Sequence, residues 1–207
     1  MLGQHGRQVT KALCEAPAKA LARVGVTANM VTVCGTVLTI ACSAGFLGTG
    51  RFALGAVVLG VVLLADSLDG VLARVTGTSS RFGAFLDSTL DRIGDGAVFA
   101  SLVAGLMWCY PEDVWRTIGI VSGLIAMVGA ATVPYARARG ESIGVTPSVG
   151  IAERTDRLLV ALVAAFGTGV WGATWILALG LVWVAFASIV TVWQRISYVR
   201  RHLESGR

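Results

Sequence analysis

The sequence predicts an all-α integral membrane protein: six transmembrane helices with a short N-terminal juxtamembrane helix, in one domain over residues 1–207. Three observations carry that prediction. Of the 207 residues 55% are hydrophobic and only 14% charged, and the mean hydropathy of +0.75 lies well above that of a soluble domain. The apolar residues fall into long continuous runs rather than alternating with polar ones. The basic residues collect on one side of those runs.

Residues 1–25 form the juxtamembrane segment. They carry Arg7, Lys11, Lys19 and Arg23 and no apolar run of signal-peptide length, so no cleavable signal is expected there. Val9, Leu13, Leu21 and Val24 suit the apolar side of one or two short surface helices interrupted near Pro17; a solvated tail fits equally well. Apolar spans follow at about Met30–Leu47, Phe52–Ala65, Ala84–Tyr110, Ile118–Tyr135, Leu158–Val170 and Trp171–Trp193. Crossing a bilayer takes roughly 20 residues. The second and fifth spans must therefore continue through polar neighbours, to about Arg74 and back to about Glu153. Gly119 and Gly123 suit close helix packing. Cys14, Cys34, Cys42 and Cys109 lack paired spacing and read as reduced packing residues. There is no internal repeat, and the loops are too short to hold a second domain.

With six helices, only Arg51 and Arg116 of the 17 Lys and Arg fall on one side, which sets both termini in the cytoplasm of a multi-pass cell-membrane protein. The net charge of +5 is thus concentrated on the cytoplasmic face, where it suits anionic lipid headgroups or phosphorylated substrates. No aromatic-interleaved basic patch points to nucleic acid.

The stretch DSLDGVLARVTGTSSRFGAFLDSTLD at 66–91 ends the second span and opens the third. Asp66 and Asp69 are spaced i, i+3, and Asp87 and Asp91 i, i+4, so each pair projects from one face of its helix. The Gly-, Ser- and Thr-rich VTGTSSRF between them reads as a tight turn that returns the second pair beside the first. Four carboxylates in a partly desolvated place repel one another unless cations intervene. Hard divalent ions such as Mg²⁺ or Mn²⁺ favour oxygen ligands, and a pair of ions about 3.5–4 Å apart is a known device for displacement at phosphorus. Zinc fits poorly, since His5 and His202 lie at the termini. Single aspartates could instead cap helices or pair with Arg74, Arg81 or Arg92. Asp95, one turn beyond Asp91, is assigned as the partner of a nearby arginine.

Asp66, Asp69, Gly70, Ala73, Arg74, Gly83, Asp87 and Asp91 together resemble the complete signature of the CDP-alcohol phosphotransferase family. Eight fixed positions, each filled by chance about one time in ten or less, match at on the order of 10⁻⁸ per frame. The resemblance implies a six-helix, homodimeric enzyme that transfers a phosphatidyl-type group from a CDP-linked donor, here CDP-diacylglycerol, to an alcohol with release of CMP. It implies two Mg²⁺ ions, with Mn²⁺ as the alternative, held by Asp66, Asp69, Asp87 and Asp91, and gives Asp91 the second role of general base. Gly70 and Gly83 would allow close approach of the nucleotide or of a neighbouring helix, while Arg74 and Ser80 would contact the donor's phosphates or cytidine. TANMVTV resembles the start of the family's first membrane helix, which brings Asn29, Met30, Val31 and Thr32 to the CDP-lipid. Thr27 fits a helix cap equally well.

YARARGES at 135–142, VGIAERTDRLL at 149–159 and the later TVWQR resemble the actinobacterial branch of the family that joins CDP-diacylglycerol to inositol 1-phosphate. That resemblance gives Arg137, Arg154 and Arg195 the acceptor-phosphate pocket. Arg137 stands where the branch more often has Lys, which keeps the charge but changes reach and hydrogen-bond geometry. Basic residues also collect at cytoplasmic helix ends without binding anything. A phosphatidylglycerophosphate synthase-like enzyme would share the donor site and take glycerol 3-phosphate. An ion-coupled transporter is the reading from another class, but its carboxylates belong near the membrane midplane.

Overall fold

The computed structural model describes Pro17 and residues 20–66 and 68–205, without the side chains of residues 66–69 and 205. Most of the predicted juxtamembrane helix, Cys14 and His5 lie outside the described residues. A helical stretch at 20–23 precedes α1 (Ala28–Cys42), which passes into a π-helical turn at Ser43–Leu47. Then come α2 (Phe52–Asp66), α3 (Leu68–Thr76), α4 (Arg81–Cys109), α5 (Val114–Ser142), α6 (Arg154–Trp171) and α7 (Thr174–Ser205). Among the described residues there is no β-strand.

Among the described residues five stretches are long and apolar enough to cross a membrane: Ala28–Leu47, Phe52–Thr76, Arg81–Cys109, Val114–Ser142 and Thr174–Glu204. The predicted fifth, α6, begins at Arg154 as its extension required, but its 18 residues open on Arg154, Asp156 and Arg157. Those charges interrupt the membrane-length apolar run, so the count of six is not met by length and composition alone. Many large apolar side chains on the spans face outward, among them Leu64, Trp108, Val128 and Phe186. Such exposure is costly in water and ordinary in lipid. The chain is a multi-pass membrane protein.

One predicted boundary moves. The last span was set to begin at Trp171, whereas α6 runs through Trp171 and stops at Gly172. Gly172 adopts φ +68°, and its N–H donates to the Thr168 carbonyl at 2.8 Å. This left-handed helix end favours glycine; the apolar Trp171 masked it in the hydropathy pattern.

The chain forms two compact units, Met1–Cys42 with Val58–Gly94, and Ser43–Val57 with Asp95–Arg207. In the first, α1 packs on α3. Buried Val71 and Leu72 gather Leu21, Ala22, Val26 and Val31 around them. Thr27 caps α1: its Oγ1 accepts from the Met30 N–H at 3.3 Å. At the end of α3, Gly77 (φ +66°) lets its own N–H reach the Arg74 carbonyl and the Thr78 N–H reach the Ala73 carbonyl. This closes two otherwise unpaired carbonyls and fixes the turn into α4.

In the second unit α7 packs against both α5 and α6. Gly119 faces Ala178, Gly123 faces Leu181 and Gly129 faces Ser188, so α5 and α7 run parallel. A Cβ at Gly123 would lie 2.6 Å from Val103, and one at Gly129 2.5 Å from Ser188. Small residues thus let the backbones approach, as predicted for Gly119 and Gly123. Asp113 joins the starts of the two helices: its Oδ1 accepts from the Arg116 N–H at 2.6 Å and its Oδ2 from the Thr174 hydroxyl at 2.9 Å. Cys34, Cys42 and Cys109 are free thiols.

Candidate active site

A cavity of about 190 Å³ opens in the first unit, lined by Ala28, Asn29 and Thr32 of α1, Gly70 and Ala73 of α3, Thr78–Ser80 of the turn, and Gly83, Ala84 and Asp87 of α4. Its walls are small or polar throughout. The sequence dictates this locally: Thr27 ends the loop before α1 and Ser80 the loop before α4, so two helix N-termini meet at one space. Ser80 Oγ accepts from the Gly83 N–H at 2.9 Å, as an N-cap does. Helix N-termini carry partial positive charge and unpaired N–H groups, which favour a phosphorylated ligand.

Of the residues predicted to hold the donor, Asn29, Thr32, Gly70 and Ser80 share this cavity, and so does Asp87. Met30 and Val31 do not line it. Met30 is exposed, and Val31 packs toward Val71 and Leu72. The cause is helical geometry: at 100° per residue, positions 29 and 32 share a face that 30 and 31 leave. Arg74 is also outside the lining; its Nε donates to the Gly70 carbonyl at 2.8 Å. Asp91 follows Asp87 by one turn of α4, and both are half-buried. The side chains of Asp66 and Asp69 lie outside the described residues, although their backbones end α2 and open α3. Among the described residues no group of three or more His, Cys, Asp or Glu is placed to hold a metal ion. Thr78 and Ser79 line the cavity without having been singled out; the signal available was the run of small hydroxyl residues in TGTSS.

The two signature glycines differ. A Cβ on Gly83 would sit 3.2 Å from both Asn29 Oδ1 and Ser80 Oγ, so this position is crowded by protein. A Cβ on Gly70 would meet nothing within 4 Å. Among the described residues, the missing side chain at Gly70 therefore leaves room beside a cavity with oxygen-bearing walls. We expect Gly70→Ala to fold normally and to gain up to about 1 kcal/mol in helix stability, while donor KM rises. Thermal unfolding with steady-state kinetics checks this; a fall in stability would make Gly70 a packing residue.

The three predicted acceptor arginines lie in the second unit, each with a partner. Arg137 Nε donates to Glu141 Oε1 at 2.9 Å on the exposed side of α5. Arg154, the first residue of α6, engages Asp95 through Nε and Nη2, each 2.9 Å from Oδ1. Asp95 thus has the arginine partner predicted for it. Arg195, 9% exposed, donates from Nη1 to the Val133 carbonyl at 2.6 Å and from Nε to the Val149 carbonyl at 3.1 Å. These neutral acceptors fix the guanidinium without cancelling its charge. Sequence reasoning gave Arg157 no task. It is 3% exposed and donates to the Gly129 carbonyl at 3.2 Å.

The model of the CDP-alcohol phosphatidyltransferase family matches residues 25–193. A phosphatidylinositol phosphate synthase of Mycobacteroides abscessus is 36% identical over 200 residues, covering 97% of this chain and 89% of the relative. One from Corynebacterium glutamicum is 36% identical over 196 residues, covering 95% and 88%. The crystal structure of the Mycobacterium tuberculosis phosphatidylinositol phosphate synthase with CDP-DAG bound superposes with a TM-score of 0.82 at 34% identity, covering 93% of this chain and 94% of that one. The same enzyme in complex with manganese and citrate gives a TM-score of 0.83, also at 34% identity, covering 90% and 88%.

Proposed function

The chain belongs to the CDP-alcohol phosphatidyltransferase family, and on that premise we propose that it transfers the phosphatidyl group of CDP-diacylglycerol to inositol 1-phosphate, giving phosphatidylinositol phosphate and CMP. It is a membrane-spanning transferase of phospholipid synthesis, which sets the transporter reading aside. The observation that carries the donor side is the cavity where Asn29, Thr32, Gly70, Ser80 and Asp87 meet, with space beside Gly70 that no described side chain fills. The acceptor rests on the excess of arginine at Arg137, Arg154 and Arg195, supported by relatives named phosphatidylinositol phosphate synthase.

In the proposed reaction the acceptor hydroxyl attacks the phosphorus bonded to diacylglycerol. A P–O bond to inositol forms as the P–O bond to CMP breaks, Asp91 takes the hydroxyl proton, and CMP departs with the bonding electrons. The carboxylate set suits hard divalent ions, and two Mg²⁺ held by Asp66, Asp69, Asp87 and Asp91 would, when bound, supply charge against the pyrophosphate. Asn29, Thr32 and Ser80 offer hydrogen bonds to the nucleotide part, and Arg74, one residue beyond the lining Ala73, would add positive charge toward the donor's phosphates. Arg137, Arg154 and Arg195 supply charge-assisted hydrogen bonds to the acceptor phosphate. The proposal includes a homodimer, and both termini and the aspartates on the cytoplasmic side, as the asymmetry of basic residues supports.

Purified protein given CDP-diacylglycerol and inositol 1-phosphate is expected to release CMP, to stop on chelation of divalent ions and to recover on adding Mg²⁺. CMP release that ignores chelation, or proceeds equally without acceptor, would contradict the proposal.

A further inference from the structure

Asp95 is a carboxylate with only 4% of its surface exposed, and the proposed reaction gives it no task. Burying a carboxylate costs several kcal/mol, and a buried ion pair rarely repays that cost in stability. Its geometry is specific. Oδ1 lies 2.9 Å from both Nε and Nη2 of Arg154, and Oδ2 lies 3.2 Å from Nε. One edge of the planar guanidinium is thereby fixed in direction, while 34% of the Arg154 side chain remains exposed. Arg154 itself is the first residue of α6, whose start is held by Asp156 Oδ2 accepting from the Glu153 N–H at 2.9 Å. Main chain and side chain of Arg154 are thus both constrained, which is what an arginine needs to present its charge at a set position.

We infer that Asp95 is a positioning residue for the acceptor: its carboxylate holds the Arg154 guanidinium in the orientation that receives the acceptor's phosphate. The inference rests on the reading of Arg154 as an acceptor-phosphate ligand. An unheld arginine must be ordered when the acceptor arrives, so loss of Asp95 weakens acceptor binding and leaves the donor side unaffected.

The test uses the full-length protein with Asp95→Asn, Arg154→Gln and the double variant, measuring KM for inositol 1-phosphate and for CDP-diacylglycerol together with thermal stability. Asp95→Asn is expected to raise acceptor KM about tenfold or more, with donor KM within about twofold. In the Arg154→Gln background the same change should add no more than about twofold, because the group it orients is gone. Asp95→Glu, which keeps the charge but shifts it by one methylene, should fall between wild type and Asp95→Asn, and it serves if the Asn variant does not fold. An unchanged acceptor KM in Asp95→Asn, or effects that multiply in the double variant, would overturn the inference while leaving Arg154 in its role. So would an equal rise in both KM values with lowered stability. If Arg154→Gln itself leaves acceptor KM unchanged, the reading of Arg154 fails and the positioning role falls with it.

Discussion

Asp91→Asn is expected to lower kcat by about 10²–10⁴-fold, the usual worth of a positioned general base, while CDP-diacylglycerol still binds. Asparagine matches aspartate in shape but cannot take the acceptor's proton. Asp91 stands one turn beyond Asp87, which itself lines the proposed donor cavity. The two carboxylates should therefore separate in kinetics. Asp87→Asn, like Asp66→Asn or Asp69→Asn, should weaken donor and metal binding as well as turnover. Equilibrium binding of CDP-diacylglycerol alongside single-turnover CMP release measures both quantities. Near-normal turnover in Asp91→Asn would remove it as the base.

Replacing the predicted acceptor arginines should raise acceptor KM in each case, with two different effects on stability. A charge-assisted hydrogen bond is worth roughly 1.5–3 kcal/mol, and a loss of 1.4 kcal/mol is a factor of ten. Each of Arg137→Gln, Arg154→Gln and Arg195→Gln should therefore raise KM for inositol 1-phosphate by about tenfold or more. Among the described residues Arg137 pairs with Glu141 on an exposed helix face, an arrangement worth about 0.3–0.5 kcal/mol, so its loss should leave thermal stability unchanged. Arg154→Gln removes the cation that meets the buried Asp95 carboxylate at 2.9 Å and should lower stability. Arg195→Gln should do so too, because the Val133 and Val149 carbonyls then lose a donor in a buried place. Steady-state kinetics and thermal unfolding on the same preparations check the pattern. An Arg195 variant with unaltered acceptor KM and lowered stability would make that residue a strut alone.

The candidate donor cavity was legible in the sequence because most of its lining is local. Gly70, Ala73, Gly83 and Asp87 recur at fixed spacings within one turn-linked pair of helices, and the structure brings them to one cavity with Asn29 and Thr32. Helical periodicity alone would have removed Met30 and Val31 from that set, since four consecutive residues cannot share a face. The partners of the arginines were not legible. Arg154 meets a carboxylate 59 positions away in the chain, and Arg195 meets carbonyls 62 and 46 positions away. Nothing in local pattern encodes that register. The fifth span was blurred for another reason: Arg154, Asp156 and Arg157 crowd the first turn of α6, where hydropathy falls although the chain makes the helix that the span's length required.

Acceptor selectivity tests the account most directly. Purified enzyme with CDP-diacylglycerol and Mg²⁺ would be offered inositol 1-phosphate, free inositol and glycerol 3-phosphate in parallel, with the lipid product identified by mass. Free inositol has no charge to set against Arg137, Arg154 and Arg195, so inositol 1-phosphate should be preferred to it by about 10²-fold or more in kcat/KM, the equivalent of two lost charge-assisted bonds. Glycerol 3-phosphate, which carries the phosphate but not the ring, should be the poorer phosphorylated substrate. Comparable turnover of free inositol, or preference for glycerol 3-phosphate, would contradict the proposed acceptor.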